Sequence, residues 1–188
     1  MPELPCGAVA ADVGQQVFYE WHVPKYFYVD EARRCMQCDE PFTFSAKEQK
    51  YWYEVRKFNF RSIPIRCSKC RRLKRSEHAL RQQIAHARRA IEESPLDPSA
   101  HLALARALVE YHERTDAGSL DDALAAARKA RTLWPETPEP DLWEGIAQAR
   151  AGRRKQAREC LSRFVKRASP RFSHLESKAR PYLADDAS

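Results

Sequence analysis

The sequence predicts two folds in series, a small α+β module over residues 17–75 and an all-α array over residues 76–188. Three observations predict it. Aromatic residues crowd into 17–75, four of the six cysteines lie there in two close pairs, and beyond it Ala, Leu and Arg recur at helical spacing between prolines. Residues 1–16, with Cys6, read as a flexible N-terminal tail. A length of 188 residues suits one ordinary domain or two small ones.

Composition bounds the class. With 43% hydrophobic and 10% aromatic residues the chain can bury a core, so disorder throughout is excluded. Its apolar runs fall far short of the ~20 residues that cross a bilayer. Met1 to Gln16 shows no basic start followed by an apolar stretch, so no signal peptide is expected. The expectation is a soluble cytoplasmic protein. The 33 Lys and Arg exceed the 26 Asp and Glu to give +7, and neither half resembles a strongly basic nucleic-acid arm. Such a charge permits an anionic partner without requiring one.

The first module can be read element by element. Its aromatics include Phe18, Tyr19, Trp21, Tyr26, Phe27 and Tyr28 before the first cysteine pair. Pro41-Phe42-Thr43-Phe44 alternates like a short strand, and Ser45-Ala46-Lys47-Glu48 is a capping box opening a helix through about Val55. Phe58 to Ile65 reads as extended, with Pro64 keeping that strand at an edge. Phe42, Phe44, Trp52 and Phe58 follow the strand alternation and the helix face, so they are expected as a miniature core. Interleaved with Arg and Lys, the same rings could instead stack on bases.

Cys35-x2-Cys38 and Cys67-x2-Cys70 form two knuckles separated by 28 residues, a span that accommodates a hairpin and an inserted helix. Each knuckle lets two thiolates reach one ion at about 2.3 Å, and two complete a tetrahedron. With four protein ligands no position is left for water or substrate, so the expected ion is one structural zinc. Two disulfides would suit a secreted chain, and a redox pair would need no second copy. An iron–sulfur cluster also uses four cysteines, and spacing leaves it open. Four thiolates and a divalent ion would bring the formal +7 to about +5. A module of about 50 residues buries little surface, and the metal offsets the missing core.

The match extends beyond the cysteines. Pro41-Phe42-x-Phe44-Ser45, Glu48-Gln49, Trp52-Tyr53, Phe58, Pro64 and Arg66-Cys67-x2-Cys70-Arg71-Arg72 complete a pattern, over about residues 28–74, that resembles a bacterial probable zinc-ribbon domain family. The resemblance implies a zinc-ribbon/treble-clef-like module, often attached to other domains and without catalytic residues. One departure is Lys57, which stands before Phe58 where a glycine is common. Arg66, Lys69, Arg71 and Arg72 are candidate anion-binding residues; alternatively, they offset the charge of the thiolates, and if the second knuckle leads into a helix they spread around it. A second basic run, Arg150 to Arg167, contains eight Lys or Arg against Glu159 and reads as a solvated helix face or an anion grip.

The second half is punctuated by proline. Leu80, Ile84, Ala87 and Ile91 mark a helix ending before Pro95; Leu104, Ala105, Leu108 and Val109 mark the next. Ala123 to Leu133 mark a third, ended by Pro135. Trp143, Ile146 and Ala147 mark a short one turned at Gly152, and Ala157 to Ala168 one stopped by Pro170. A last helix spans about Ser173 to Leu183. Ala123, Ala127, Ala130 and Pro135, then Gly145, Gly152 and Ala157, carry the small-residue spacing of tetratricopeptide units, where antiparallel helices approach closely. Residues 77–183 thus resemble a degenerate tetratricopeptide-like helical repeat array, with Trp143 offset and Thr115 to Ser119 lengthening one turn; the simpler alternative is a helical bundle with alanine-rich contacts.

No nucleotide loop, nucleophile elbow or deaminase pattern occurs, and His22, His78, His86, His101, His112 and His174 lack metal-site spacing. Cys160 is expected in the core. The reading is a non-enzymatic zinc-binding adaptor with an unidentified protein partner, no membrane and no small-molecule substrate. Its first helices, about Ser99–Arg114 and Pro140–Ala151, would line a concave face with His101, Arg106, Tyr111 and Arg150 as contacts. The alternative is nucleic-acid or ribonucleoprotein binding through the basic residues of the zinc module and around Arg154.

Overall fold

The computed structural model describes residues 4–17 and 23–183. Phe18, Tyr19, Trp21 and His22 lie outside the described residues. The chain divides into two compact units, Met1–Lys74 and Arg75–Ser188.

In the first unit, β1 (Val9–Ala10) pairs antiparallel with β2 (Phe27–Tyr28), and β3 (Glu31–Arg34) pairs antiparallel with β4 (Pro41–Phe44), Glu31 opposite Phe44 and Arg34 opposite Pro41. Next comes α1 (Ala46–Lys50), capped by Ser45 Oγ accepting from the Glu48 amide at 3.2 Å and continued by a π-helical turn over Tyr51–Val55. The capping box therefore starts the helix where the sequence places it.

Three expectations for this unit change. Residues 9–15 are not loose, as a tail would be. Besides β1 they form a 3-10 turn at Val13–Gln15, and the Asp12 amide donates to Glu54 Oε1 at 2.8 Å. Gln16, nearly buried, donates from Nε2 to Lys25 O at 2.7 Å and to Tyr28 Oη at 2.9 Å. Phe58 to Ile65 forms no strand: Asn59 Oδ1 accepts from the Arg61 amide, and the Ser62 amide returns to Asn59 O at 2.8 Å. Side-chain bonding by Asn turns the backbone where alternation alone suggested extension.

The miniature core also has different members. Tyr28, Phe44, Ala46 and Tyr53 are buried, with Trp52 and Phe60 packed against them. Phe42 is half-buried outside this cluster, and Phe58 is 36% exposed, its ring edge on Trp52 at 5.3 Å. The π turn is the reason: its extra residue rotates the face, sending Tyr53 inward and leaving Trp52 to bridge core and rim.

Helix α2 (Ser68–Glu93) begins in the first unit, well ahead of the apolar periodicity that announced it, and ends in the second. The second unit continues with α3 (Pro98–Thr115), α4 (Leu120–Leu133), α5 (Glu139–Arg150), α6 (Arg154–Arg167), a 3-10 turn at Pro170–Phe172 and α7 (Ser173–Leu183). Pro98 opens α3 behind the Asp97 cap, Ser119 caps α4 by accepting from Asp122, and Asp116 ends α3 in the left-handed region at φ 51°. From α3 to α7 successive helices pack, and α3 also packs on α5 and α5 on α7. The core runs through Leu108, Val109, Leu124, Leu142, Trp143, Ile146, Leu161 and Phe164, with Leu175 and Ala179 from α7. At Gly145 an added Cβ would lie 2.6 Å from Leu161 Cγ and 3.2 Å from its backbone nitrogen; only glycine allows α5 and α6 this close.

Candidate metal centre

Cys35 directly follows β3, so the first knuckle is the turn of the β3–β4 hairpin. Two bonds shape the turn: the Cys35 amide donates to Glu40 O at 3.0 Å, and the Asp39 amide donates to Cys35 O at 2.9 Å. Arg34 and Asp39 pair across it at 2.7 Å. The second knuckle opens α2. Cys67 precedes the helix and accepts on Sγ from the Cys70 amide at 3.5 Å, while the Arg71 amide donates to Cys67 O at 2.9 Å. The Met36 amide donates to Ile65 O at 2.9 Å and holds the two knuckles side by side.

The four sulfurs converge. Each lies within 4.8 Å of the others, with Cys38 Sγ and Cys67 Sγ 3.8 Å apart. In a tetrahedron with bonds of about 2.3 Å the ligand sulfurs stand about 3.8 Å apart. All four cysteines are free, and 3.8 Å is far beyond the ~2.05 Å of a disulfide. The set therefore fits one tetrahedral ion, consistent with zinc; a multi-iron cluster would hold its thiolates farther apart, and this decides between the two choices that spacing left open.

The electrostatics of the site favour a cation. Burial raises the Cys35 thiol, but amide hydrogen bonds from Cys67, Cys38 and Gln37 outweigh it and bring the group down to about 6. Burial pushes Cys70 up to about 12, helped by the neighbouring thiols. At Cys38 the Glu40 amide pulls the value down, but contact with Cys35 and burial prevail and raise it. Sulfurs this crowded cannot all ionise beside one another, and a divalent ion at their centre removes the conflict. Cys67 stands immediately before the N-terminus of α2. Bound there, zinc would hold hairpin and helix together.

A knuckle on a hairpin with a second at a helix start is the treble-clef arrangement, and the comparison with family models agrees. Residues 29–79 match a family described as a probable treble clef domain. The match covers the metal module, about a quarter of the chain. A search of curated proteins found no match. Lys57 now has its explanation: its φ is 57°, in the left-handed region where glycine is at home. Its ammonium donates to Gln15 O at 2.6 Å and to Gln15 Oε1 at 2.7 Å, tying the strained turn to the N-terminal segment.

The other predicted site residues are dispersed. Arg71 is held inside the module, donating to Glu48 Oε1 at 2.6 Å with its guanidinium 5.3 Å from the Trp52 ring centre. Lys69 and Arg72 are exposed and Arg66 is half-buried. In the second unit His101 meets Pro95 O at 2.9 Å, Arg106 pairs with Glu110 at 3.3 Å, Tyr111 accepts from Arg81 Nε at 3.0 Å, and Arg150 pairs with Glu113 at 3.1 Å. Cys160 is buried as expected.

Sequence reading missed a buried acidic pair. Asp141 and Glu144 on α5 are 0% and 4% exposed. Asp141 accepts from Arg131 at 3.2 Å, Arg163 at 3.1 Å and Arg167 at 3.2 Å; Glu144 accepts from Arg128 at 2.8 Å and also from Arg131. The Arg150–Arg167 run was read too simply at two of its eight cations, because Arg163 and Arg167, although partly exposed, are bound to the buried carboxylate of Asp141. The available signal was acids three apart on an apolar helix, with arginines on both adjoining helices.

Proposed function

We propose that the chain is a non-enzymatic adaptor, a structural zinc module coupled to a tetratricopeptide-like array that captures a protein partner. One observation carries this reading: α3 packs on α5 and α5 on α7, while α4 and α6 alternate with them. Such packing suits a stack of helix pairs in which the first helices share one layer and can present a common surface. Gly145 at the α5–α6 contact, Gly152 with φ 75° at the turn and the buried Ala157 occupy the small-residue positions that such pairs use. The metal site supports a role without chemistry, since four protein thiolates leave no coordination position for substrate.

On this reading α3 and α5 present His101, Arg106, Tyr111 and Arg150 to the partner. Arg106 and Arg150 also pair with Glu110 and Glu113, so the face is a network of opposite charges rather than a basic strip. That character favours a protein over a nucleic acid. The test is an affinity pull-down from native lysate, with and without RNase, using wild-type, R106E, R150E and R71E/R72E chains. Loss of capture in R106E and R150E, with capture resistant to RNase, supports the adaptor. RNase-sensitive capture lost in R71E/R72E would place binding on nucleic acid and the zinc module.

A further inference from the structure

The face that the adaptor reading assigns to a partner already has an occupant. Helix α7 follows α6 in the chain and packs on α6 and α5, yet its side chains reach past α5 to α3. Lys178 Nζ donates to Glu110 Oε1 at 2.9 Å and stands 4.8 Å from the Trp143 ring centre. Tyr182 Oη donates to Glu113 Oε1 at 2.7 Å, and the Arg150 guanidinium lies 5.7 Å from its ring centre. Glu110 and Glu113 are the acids that pair with Arg106 and Arg150. Both cations expected to meet a partner therefore share their counter-charges with α7.

We infer that α7 is a built-in ligand of this face, and that the partner binds by inserting an amphipathic helix of the same pattern in its place; the inference rests on the adaptor reading and names the kind of partner. Leu175 and Ala179 are buried in the helical core. With Lys178 and Tyr182 they occupy positions i, i+3, i+4 and i+7, which share one side of a helix. That is the anchor spacing of a helix laid into a groove. Glu110 and Glu113 of α3 suit a basic residue at the second of these positions, and the Trp143 ring beneath it attracts the same cation.

Three features make α7 replaceable. It has 11 residues, short of the ~12–15 at which an isolated helix holds in water. Pro181 lies inside it and takes away the amide that would bond to Ser177 O, so its helical form depends on docking. Its buried residues are Leu175 and Ala179, against nine in α5, which puts α7 at the weakly anchored end of the unit. Its fit is also incomplete, for a space of about 260 Å³ lined by Glu110, Glu113, Arg114 and Lys178 stays open beside it. A helix that takes its place must cover the same core, and that fixes the apolar positions of the partner.

The test uses the full zinc-loaded chain and fluorescence anisotropy with a fluorescein-labelled peptide of residues 169–183. Two variants release α7: K178E/Y182A, which keeps Leu175 in the core, and L175A/K178E/Y182A. A tethered α7 competes at an effective concentration in the millimolar range, so wild type should bind the free peptide at least about tenfold more weakly than the released chains. Adding E110K/E113K to a released chain should abolish binding, and far-UV circular dichroism should show the remaining helices intact. Equal binding by wild type and released chains, no binding by either released chain, or loss of most helix signal in both would each overturn the inference. A wild-type dimer in light scattering that dissociates on release would make a second copy the occupant and overturn the partner assignment. The pull-down separates this from the broader reading. Capture lost in R106E and R150E but not raised in K178E/Y182A, with no peptide binding, leaves the adaptor standing and removes α7 from it.

Discussion

Gly145→Ala is the substitution on which the close helix pairing can be tested most sharply, because two effects of known size oppose each other. In an exposed helix the change would stabilise by about 1 kcal/mol, through alanine's better helix propensity. Here the new Cβ would sit 2.6 Å from Leu161 Cγ, 2.7 Å from its Cδ2 and 3.2 Å from its amide nitrogen. Leu161 is fully buried and its backbone belongs to α6, so rotating the side chain cannot clear the contact and α5 must move away. Overpacking of this kind costs about 1–3 kcal/mol. Taking the upper half of that range, because backbone is involved, the net loss is about 1–2 kcal/mol, a fall of roughly 5–10 °C in the helical transition. Thermal unfolding followed by far-UV circular dichroism reads it directly. A melting temperature equal to or above wild type would mean that propensity wins and that α5 and α6 do not approach this closely.

Other outcomes follow from the same contacts. Purified without added metal, the chain should carry about one zinc, and elemental analysis showing iron in its place would refute zinc as the ion. A strong chelator should unfold the module around Tyr28, Phe44 and Tyr53 while most far-UV helix signal persists, since ligand binding there is folding energy; loss of nearly all helicity would contradict the division into two units. Asp141→Asn should destabilise the helical unit by about 2–3 kcal/mol in denaturant melts. That is less than a fully buried pair would lose, because its three arginines remain 33–46% exposed. Tyr182, raised by burial and by its bond to Glu113, favours the neutral phenol in the fold. Its stabilisation is complete below the ordinary value of 10.0 and is lost as pH rises through the raised one, so Y182F should flatten the alkaline fall in stability. Lys57→Gly should relieve about 1 kcal/mol of left-handed strain, offset in part by loss of the Gln15 tether; a clear fall in module stability would show that the tether outweighs the strain.

What the sequence determined is whatever depends on neighbours along the chain. Cys-x2-Cys spacing sets two sulfurs within reach of one ion, the Ser45 box starts α1, and Pro98, Pro135 and Pro170 divide the helices, because these effects act over a few residues. Gly145 and Cys160 were also legible, since a small or apolar residue on a helix face has few other uses. Tertiary structure decided the rest. The π turn that buries Tyr53 and exposes Phe58, the anchoring of Gln16 on Tyr28, and the turn at Asn59 each depend on partners distant in sequence or on one added backbone residue. The fate of the charges was hidden for the same reason. Arg163 and Arg167 belong to Asp141 across 22 and 26 residues, while Lys155 and Lys166 on the same helix face a groove. Which side of a helix meets a carboxylate is set by how the neighbouring helices pack, and no local pattern encodes that.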